Sequence, residues 1–326
     1  MPPKDLNNIF APISTELDLF QKEFRQALYS EVELINQIGS YILSGSGKYI
    51  RPALVLLSAN LCGKSNEHSI IAASVVEILH TATLVHDDII DDSEVRRGRP
   101  SVKAIWSNKI AVLAGDFLFS RALSNMLRLK DFTVLELLSQ TSELLSSGEL
   151  LQLEKSLNNN MDEEIYYQVI WAKTASLFAT ACQVGTLTVA ANEEQTKALF
   201  DYGRCLGLAF QIEDDLFDCT GTSIHTGKPV ERDIKQNLVT LPLIHALKTL
   251  APEDRHRIRQ QLKNRPSPEQ VTAITELIIN TNGINYAENK CRELIQQAVV
   301  ALAIFPDSQY KSALINLANY TLTRNN

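Results

Sequence analysis

The chain has 326 residues, 45% of them hydrophobic and 21% charged, which is ordinary for a globular protein and enough for a substantial core. Its net charge of −7 argues against a general nucleic-acid binder and against attraction to an anionic membrane surface. Cys62, Cys182, Cys205, Cys219 and Cys291 are scattered without a CxxC pair and read as reduced thiols of a cytoplasmic protein, and Met1-Pro2-Pro3-Lys4-Asp5 begins no apolar signal segment.

Helical spacing recurs in nearly every segment, and turn dipeptides flanked by alternating apolar residues are missing. The fold class therefore reads as all-α, with no linker or repeat and one domain over residues 1–326. Ile13, Leu17, Phe20, Phe24 and Leu28 define a first amphipathic helix, and Leu34, Ile35, Ile38 and Ile42 a second. A Ser/Gly loop, Ser44-Gly45-Ser46-Gly47, then leads through Lys48 and Arg51 to Pro52, which suits the first turn of a third helix ending at Gly63. A helix start with free N–H groups, Lys48 and Arg51 can hold a diphosphate or be an ordinary capped loop. Residues 66–92 form a fourth helix, apolar on most sides and hence central, carrying His80 and His86. Gly98-Arg99-Pro100 is a turn. Helices over 110–127, where Gly115 permits close contact, and 134–157 follow. Asp162, Glu163 and Glu164 open another helix that carries Lys173-Thr174. The uncharged run 174–192 contains four threonines and reads as a buried helix, so no integral membrane segment is expected. Asn192 with Gln195 caps a helix running to Asp214, and residues 219–240 read either as a flap over the site or as a plain surface loop. Ser267-Pro268-Glu269-Gln270 is a helix start, Gly283 a stop, and helices near 285–304 and 308–323 complete the chain.

Asp87-Asp88-Ile89-Ile90-Asp91-Asp92 closes the central helix. Acids at a helix C-terminus face its negative dipole, at a cost of roughly 0.3–1 kcal/mol each. Asp87 and Asp91 are one turn apart with Asp88 beside them, an arrangement that suits a hard multivalent cation such as Mg²⁺. Arg96, Arg97 and Arg99 follow at once. Gln211-Ile212-Glu213-Asp214-Asp215-Leu216-Phe217-Asp218 repeats the pattern at a second helix end. Two acid clusters with neighbouring arginines point to a metal-bridged polyphosphate site.

These pieces carry a resemblance. The chain resembles trans-isoprenyl diphosphate synthases (polyprenyl synthetases) over nearly its whole length, and within them the long-chain, octaprenyl or solanesyl type. The matching residues are Gly47-Lys48-Tyr49-Ile50-Arg51-Pro52, the run from His80 to His86 leading into the first acid motif and its arginines, Lys173-Thr174-Ala175, the second acid motif with Gln211, Gly227-Lys228-Pro229, and Thr240-Leu241-Pro242. The resemblance implies an all-α homodimer of the isoprenoid synthase type, an orthogonal helical bundle with the two acid motifs facing each other across a central deep cavity. It further implies that Asp87, Asp91 and Asp214 bind Mg²⁺, helped by Asp88 and Asp218. Arg96, Lys173, Thr174 and Gln211 would contact an allylic diphosphate, and Lys48, Arg51, His80 and Arg97 would bind isopentenyl diphosphate.

By the same resemblance, bulky residues four or five positions before the first acid motif stop elongation early. Thr83 and Ala82 stand there, both small, and one turn deeper, about 5.4 Å along the wall, lie Leu79 and Val76. The expectation is a long product in the quinone side-chain range. Two departures from the family pattern weigh on catalysis: Glu231 stands where a Gly is usual, and Asn237-Leu238 where Gly-Lys is usual, with Lys228, Arg232 and Lys235 as substitutes for the lost cation. Competing readings are a shorter-chain synthase, a terpene cyclase, and a non-catalytic subunit of a heteromeric prenyltransferase. The second DDxxD and the Lys48, Arg51 and Arg97 set speak against the cyclase.

Overall fold

Helix after helix forms where the apolar spacing places it. The structure, a computed structural model, describes residues 4–45, 47–158, 162–220, 239–264 and 266–323. In order these are α1 (Lys4–Phe10), α2 (Ser14–Ala27), α3 (Glu33–Ser44), α4 (Ile50–Cys62), α5 (Glu67–Ile90), the two-residue strands β1 (Val95–Arg96) and β2 (Arg99–Pro100), α6 (Val102–Trp106), α7 (Asn108–Arg128), α8 (Phe132–Asn158), α9 (Glu163–Ile170), a π-helical turn (Trp171–Ala175), α10 (Ser176–Leu187), α11 (Glu193–Thr220), α12 (Leu241–Lys248), α13 (Pro252–Lys263), α14 (Pro268–Asn280), α15 (Gly283–Ala301) and α16 (Gln309–Thr323). Gly227-Lys228-Pro229, Glu231, Asn237-Leu238 and most of the expected flap lie outside the described residues.

The described chain falls into two compact units of interleaved sequence, Met1–Ser142 with Leu177–Phe200 and Leu302–Leu317, and Glu143–Ser176 with Asp201–Ala301 and Ala318–Asn326. The first is built on α5. Asn66 caps it reciprocally: its side chain accepts from the Ser69 N–H at 3.2 Å while the Ser69 hydroxyl accepts from the Asn66 N–H. Helices α2, α4, α6 and α7 pack around it. Four consecutive residues of α4, Leu54 to Leu57, are fully buried, so α4 is enclosed on every side. Each leucine so buried stabilises by about 1.5–3 kcal/mol. In the second unit, Leu243, Leu247, Leu262, Val271, Ile274 and Ile278 form a core joining α12, α13 and α14.

Several expectations are corrected. Gly283 begins α15 rather than ending a helix; the chain turns instead at Asn282, whose φ of 62° is left-handed. The helix expected to carry Lys173-Thr174 changes register there into the π turn. The turn placed at Gly98-Arg99-Pro100 is a β-hairpin whose loop is Arg97-Gly98. By contrast, the run 174–192 holds the largely buried helix α10, as its reading as a buried helix expected; among the described residues the helices long and apolar enough to cross a membrane by composition are α5 and α7, and α5 is mostly buried in the fold.

Candidate functional site

Helix α5 ends in a Schellman motif. The Ser93 N–H reaches the Asp88 carbonyl at 2.9 Å, and the Asp92 N–H reaches that of Ile89 at 3.2 Å. The left-handed position such a motif needs, usually glycine, is held by Asp92 at φ 50°. The helix thus stops where its acids are. Asp87 is half-buried, Asp91 exposed, and Asp88 only 3% exposed.

The hairpin that follows pairs Val95 with Pro100 and Arg96 with Arg99. Arg97 (φ 53°) and Gly98 (φ 75°) are both left-handed, as in the hairpin turns that match strand twist. Arg96 folds back on the helix end, with Nε and Nη2 each 2.8 Å from one oxygen of Asp88. Asp88 therefore holds an arginine as well as sitting among the acids. Arg99 stacks on Tyr41, 4.3 Å from the ring centroid, and the Tyr41 hydroxyl donates to the Pro100 carbonyl at 2.7 Å.

A pocket of about 120 Å³, partly open to solvent, is lined by Tyr49, Glu77, Asp88, Arg96, Arg97 and Arg99 among others. Arg51 at the start of α4 lies with its Nη1 3.1 Å from Nε2 of His80. A guanidinium has only donors, so His80 accepts and carries its proton on Nδ1. Burial first, then Arg51, Arg97 and Arg96, hold the His80 pKa well below its ordinary value, so the ring is neutral. Lys48 is half-buried in the irregular segment just before Tyr49 and α4. Glu77, one turn before His80, is 7% exposed; burial pushes its carboxyl up to about 7, against the pull of Arg51 and Arg97.

The second unit gathers the other cluster. The Lys173 ammonium, on the π turn, is 2.8 Å from Glu149 and donates to Gln152 at 3.2 Å, so the Gly148–Gln152 stretch of α8 is what orients this lysine. Such π turns recur at functional sites. The Thr174 hydroxyl donates to Gln211 Oε1 at 2.7 Å, Gln211 Nε2 donates to Asp215 at 2.9 Å, and the buried Tyr166 hydroxyl donates to the other Asp215 oxygen at 2.6 Å. Gln211 thus orients the acid motif from within. Asp214 is half-buried, and Asp218 lies in the last turns of α11.

On α5, Ala82 is 2% and Leu79 1% exposed, while Thr83 is half-buried with its hydroxyl donating to the His80 carbonyl. His86, one turn from Ala82, lies 3.3 Å from the Val112 carbonyl and 3.5 Å from Asp116 on α7. Gly115 makes this approach possible, since a Cβ there would stand 2.2 Å from His86 Nε2.

Glu77, Lys103, Glu149, Gln152 and Asp215 were not assigned from the sequence. Glu77 left one trace there, a single acid inside the apolar run from Ile70 to Leu79. Among the described residues no three His, Cys, Asp or Glu side chains form a metal cage. Asp87 and Asp91 instead make an open, all-oxygen pair one turn apart. That fits a hard cation completing its shell with water and phosphate oxygens.

The polyprenyl synthetase family profile matches residues 32–278. The octaprenyl diphosphate synthase of Haemophilus influenzae is 38% identical over 298 residues, covering 91% of each chain. Among solved structures, a decaprenyl diphosphate synthase from Rhodobacter capsulatus superposes with a TM-score of 0.93 at 33% identity, covering 98% of both chains. A polyprenyl synthase from Caulobacter crescentus, complexed with calcium and isoprenyl diphosphate, does so at 0.91 and 32%, covering 99% of both. The fold is the all-α isoprenoid synthase fold, and its class of enzyme is the prenyltransferase. The chain belongs to the polyprenyl synthetase family.

Proposed function

We propose that the protein adds isopentenyl diphosphate to an allylic diphosphate in successive steps and releases a long all-trans polyprenyl diphosphate of quinone side-chain length. The observation that carries this is the pocket where Arg96 and Arg97 stand beside the acidic end of α5, with Arg51 paired to a neutral His80. Cations for a diphosphate and oxygens for a metal meet at one helix end.

In this reading Lys48, Arg51, His80 and Arg97 bind isopentenyl diphosphate. Arg96, Lys173, Thr174 and Gln211 serve the allylic diphosphate. Asp87, Asp91 and Asp214 hold Mg²⁺, with Asp88 and Asp218 in support. Bound Mg²⁺ supplies charge neutralisation on the departing diphosphate. The allylic C–O bond breaks, and the basic side chains stabilise the leaving anion. Apolar walls including Ala82 and Leu79 keep water from the allylic cation. The isopentenyl double bond then forms the new C–C bond, and the proton lost passes to the departed diphosphate. His80 accepts from Arg51, which makes it an orienting group rather than the base. The small side chains of Ala82 and Thr83 support a long product. A stripe of exposed apolar residues on α7, Val112, Phe119, Leu123 and Leu127, supports a homodimer, and a cytoplasmic location completes the reading.

The test is incubation of the purified protein with Mg²⁺, farnesyl diphosphate and labelled isopentenyl diphosphate, followed by product-length analysis. A long polyprenyl diphosphate is expected, and Ala82→Phe should shorten it. A wild-type stop at geranylgeranyl length would overturn the long-chain reading, and a cyclised hydrocarbon or no product would overturn the synthase itself.

A further inference from the structure

Lys103, on α6, is a cation that the reading above does not use. Its side chain is only 3% exposed, yet it donates to two carboxylates at the surface, Asp92 and, at 3.2 Å, Glu94. It is not among the residues lining the arginine pocket. A nearly buried ammonium is unfavourable unless its partners matter, because desolvation weighs against the ion pair.

Its partners bracket the turn out of α5. Asp92 holds the left-handed position of the Schellman motif, a conformation that favours glycine. Glu94 immediately precedes β1, and its carbonyl accepts from the Ser101 N–H at 2.9 Å. The hairpin itself has strands of two residues, too short to persist alone. The Ser101 hydroxyl donates to the Ser93 carbonyl at 2.7 Å and closes the base through the backbone. Lys103 closes it through side chains, binding both the αL residue and the residue just before β1 to α6.

We propose that Lys103 is a positioning residue for diphosphate binding. It fixes the course of residues 92–94, and through them the place at which Arg96 and Arg97 are presented. It also engages Asp92 as a structural acid of the DDIIDD motif, distinct in role from Asp87 and Asp91. This rests on the reading of Arg96 and Arg97 as diphosphate-binding groups.

The experiment compares wild type, Lys103→Met and Lys103→Arg by calorimetric titration with inorganic pyrophosphate and Mg²⁺, and by steady-state kinetics. Lys103→Met should weaken pyrophosphate binding and raise KM for isopentenyl diphosphate on the order of tenfold, with kcat changed far less, as expected when binding groups are displaced rather than removed. Lys103→Arg should restore both. If Lys103→Met does not fold, the double change Asp92→Asn with Glu94→Gln loosens the same joint from its other side and should give the same KM shift. A lower melting temperature with unchanged pyrophosphate affinity and KM, in whichever variant folds, would overturn the proposal and leave an ordinary stabilising ion pair. A flat wild-type titration would overturn the diphosphate reading of the hairpin, and this proposal with it.

Discussion

A carboxyl buried in the wall of an anion pocket, as Glu77 is, destabilises the fold once it ionises. Its pKa is raised from 4.5 to about 7, chiefly by burial. Between those values the native state keeps a proton that the unfolded chain has lost, so stability falls as pH rises through this window and levels off above it. The full penalty is on the order of 3 kcal/mol. His80 acts with the opposite sign. Its pKa is depressed, so the unfolded chain binds a proton that the native ring refuses, and stability is lost as pH falls below 6.5. The two effects oppose each other in mildly acidic solution, which is why a difference between variants is the useful quantity. Glu77→Gln should raise the melting temperature by several degrees at pH 8 and leave it nearly unchanged at pH 4.5. Melting curves across that range check it, and an equal shift at both ends would mean that ionisation of Glu77 is not the cause.

At the scale of the element, the π turn Trp171–Ala175 depends on a close neighbour. A Cβ on Gly148 would stand 2.8 Å from the Ala172 Cβ and 2.9 Å from the Lys173 backbone nitrogen. Glycine on α8 therefore lets the turn approach, and the same helix supplies Glu149 and Gln152 to the Lys173 ammonium. Gly148→Ala forces the two apart. It should cost about 1–3 kcal/mol, the usual penalty for overpacking, and should raise KM for the allylic substrate more than for isopentenyl diphosphate. Denaturant unfolding and paired KM measurements check both halves. Equal KM changes for the two substrates would show that the turn does not serve one of them specifically.

At the scale of the whole molecule, the exposed stripe on α7 bears on assembly. Val112, Phe119, Leu123 and Leu127 fall on one helical face, and Leu127 is 65% exposed. A second copy of the chain is the expected cover. Light scattering on the purified protein should give twice the chain mass, and Leu123→Glu combined with Leu127→Glu should give the single-chain mass with helix content intact. A wild-type monomer would leave that face to another partner.

Much was legible before the structure. The central helix shows in a run that is apolar on most sides, and the starts of α11 and α14 in Asn192 with Gln195 and Ser267 with Gln270, because helix periodicity and capping are local properties of a few neighbouring residues. The acid motifs and their basic companions were equally readable, since a short motif keeps its residue types and spacing. Other features carried no local mark. Two-residue strands have no period to detect, so the hairpin read only as a turn. The π register of residues 171–175 accompanies the contact at Gly148, more than twenty positions away. The glycine rule placed a stop at Gly283, but Asn282 makes the turn. The partners of the site side chains, Lys173 with Glu149, Thr174 with Gln211, Arg96 with Asp88, and Lys103 with Asp92 and Glu94, were settled only in three dimensions. The sequence by itself determined which helices form and which groups bring charge to the chemistry. Only the tertiary structure decided which charge answers which, because an ion pair depends on distance and burial, and neither is written in the order of the residues.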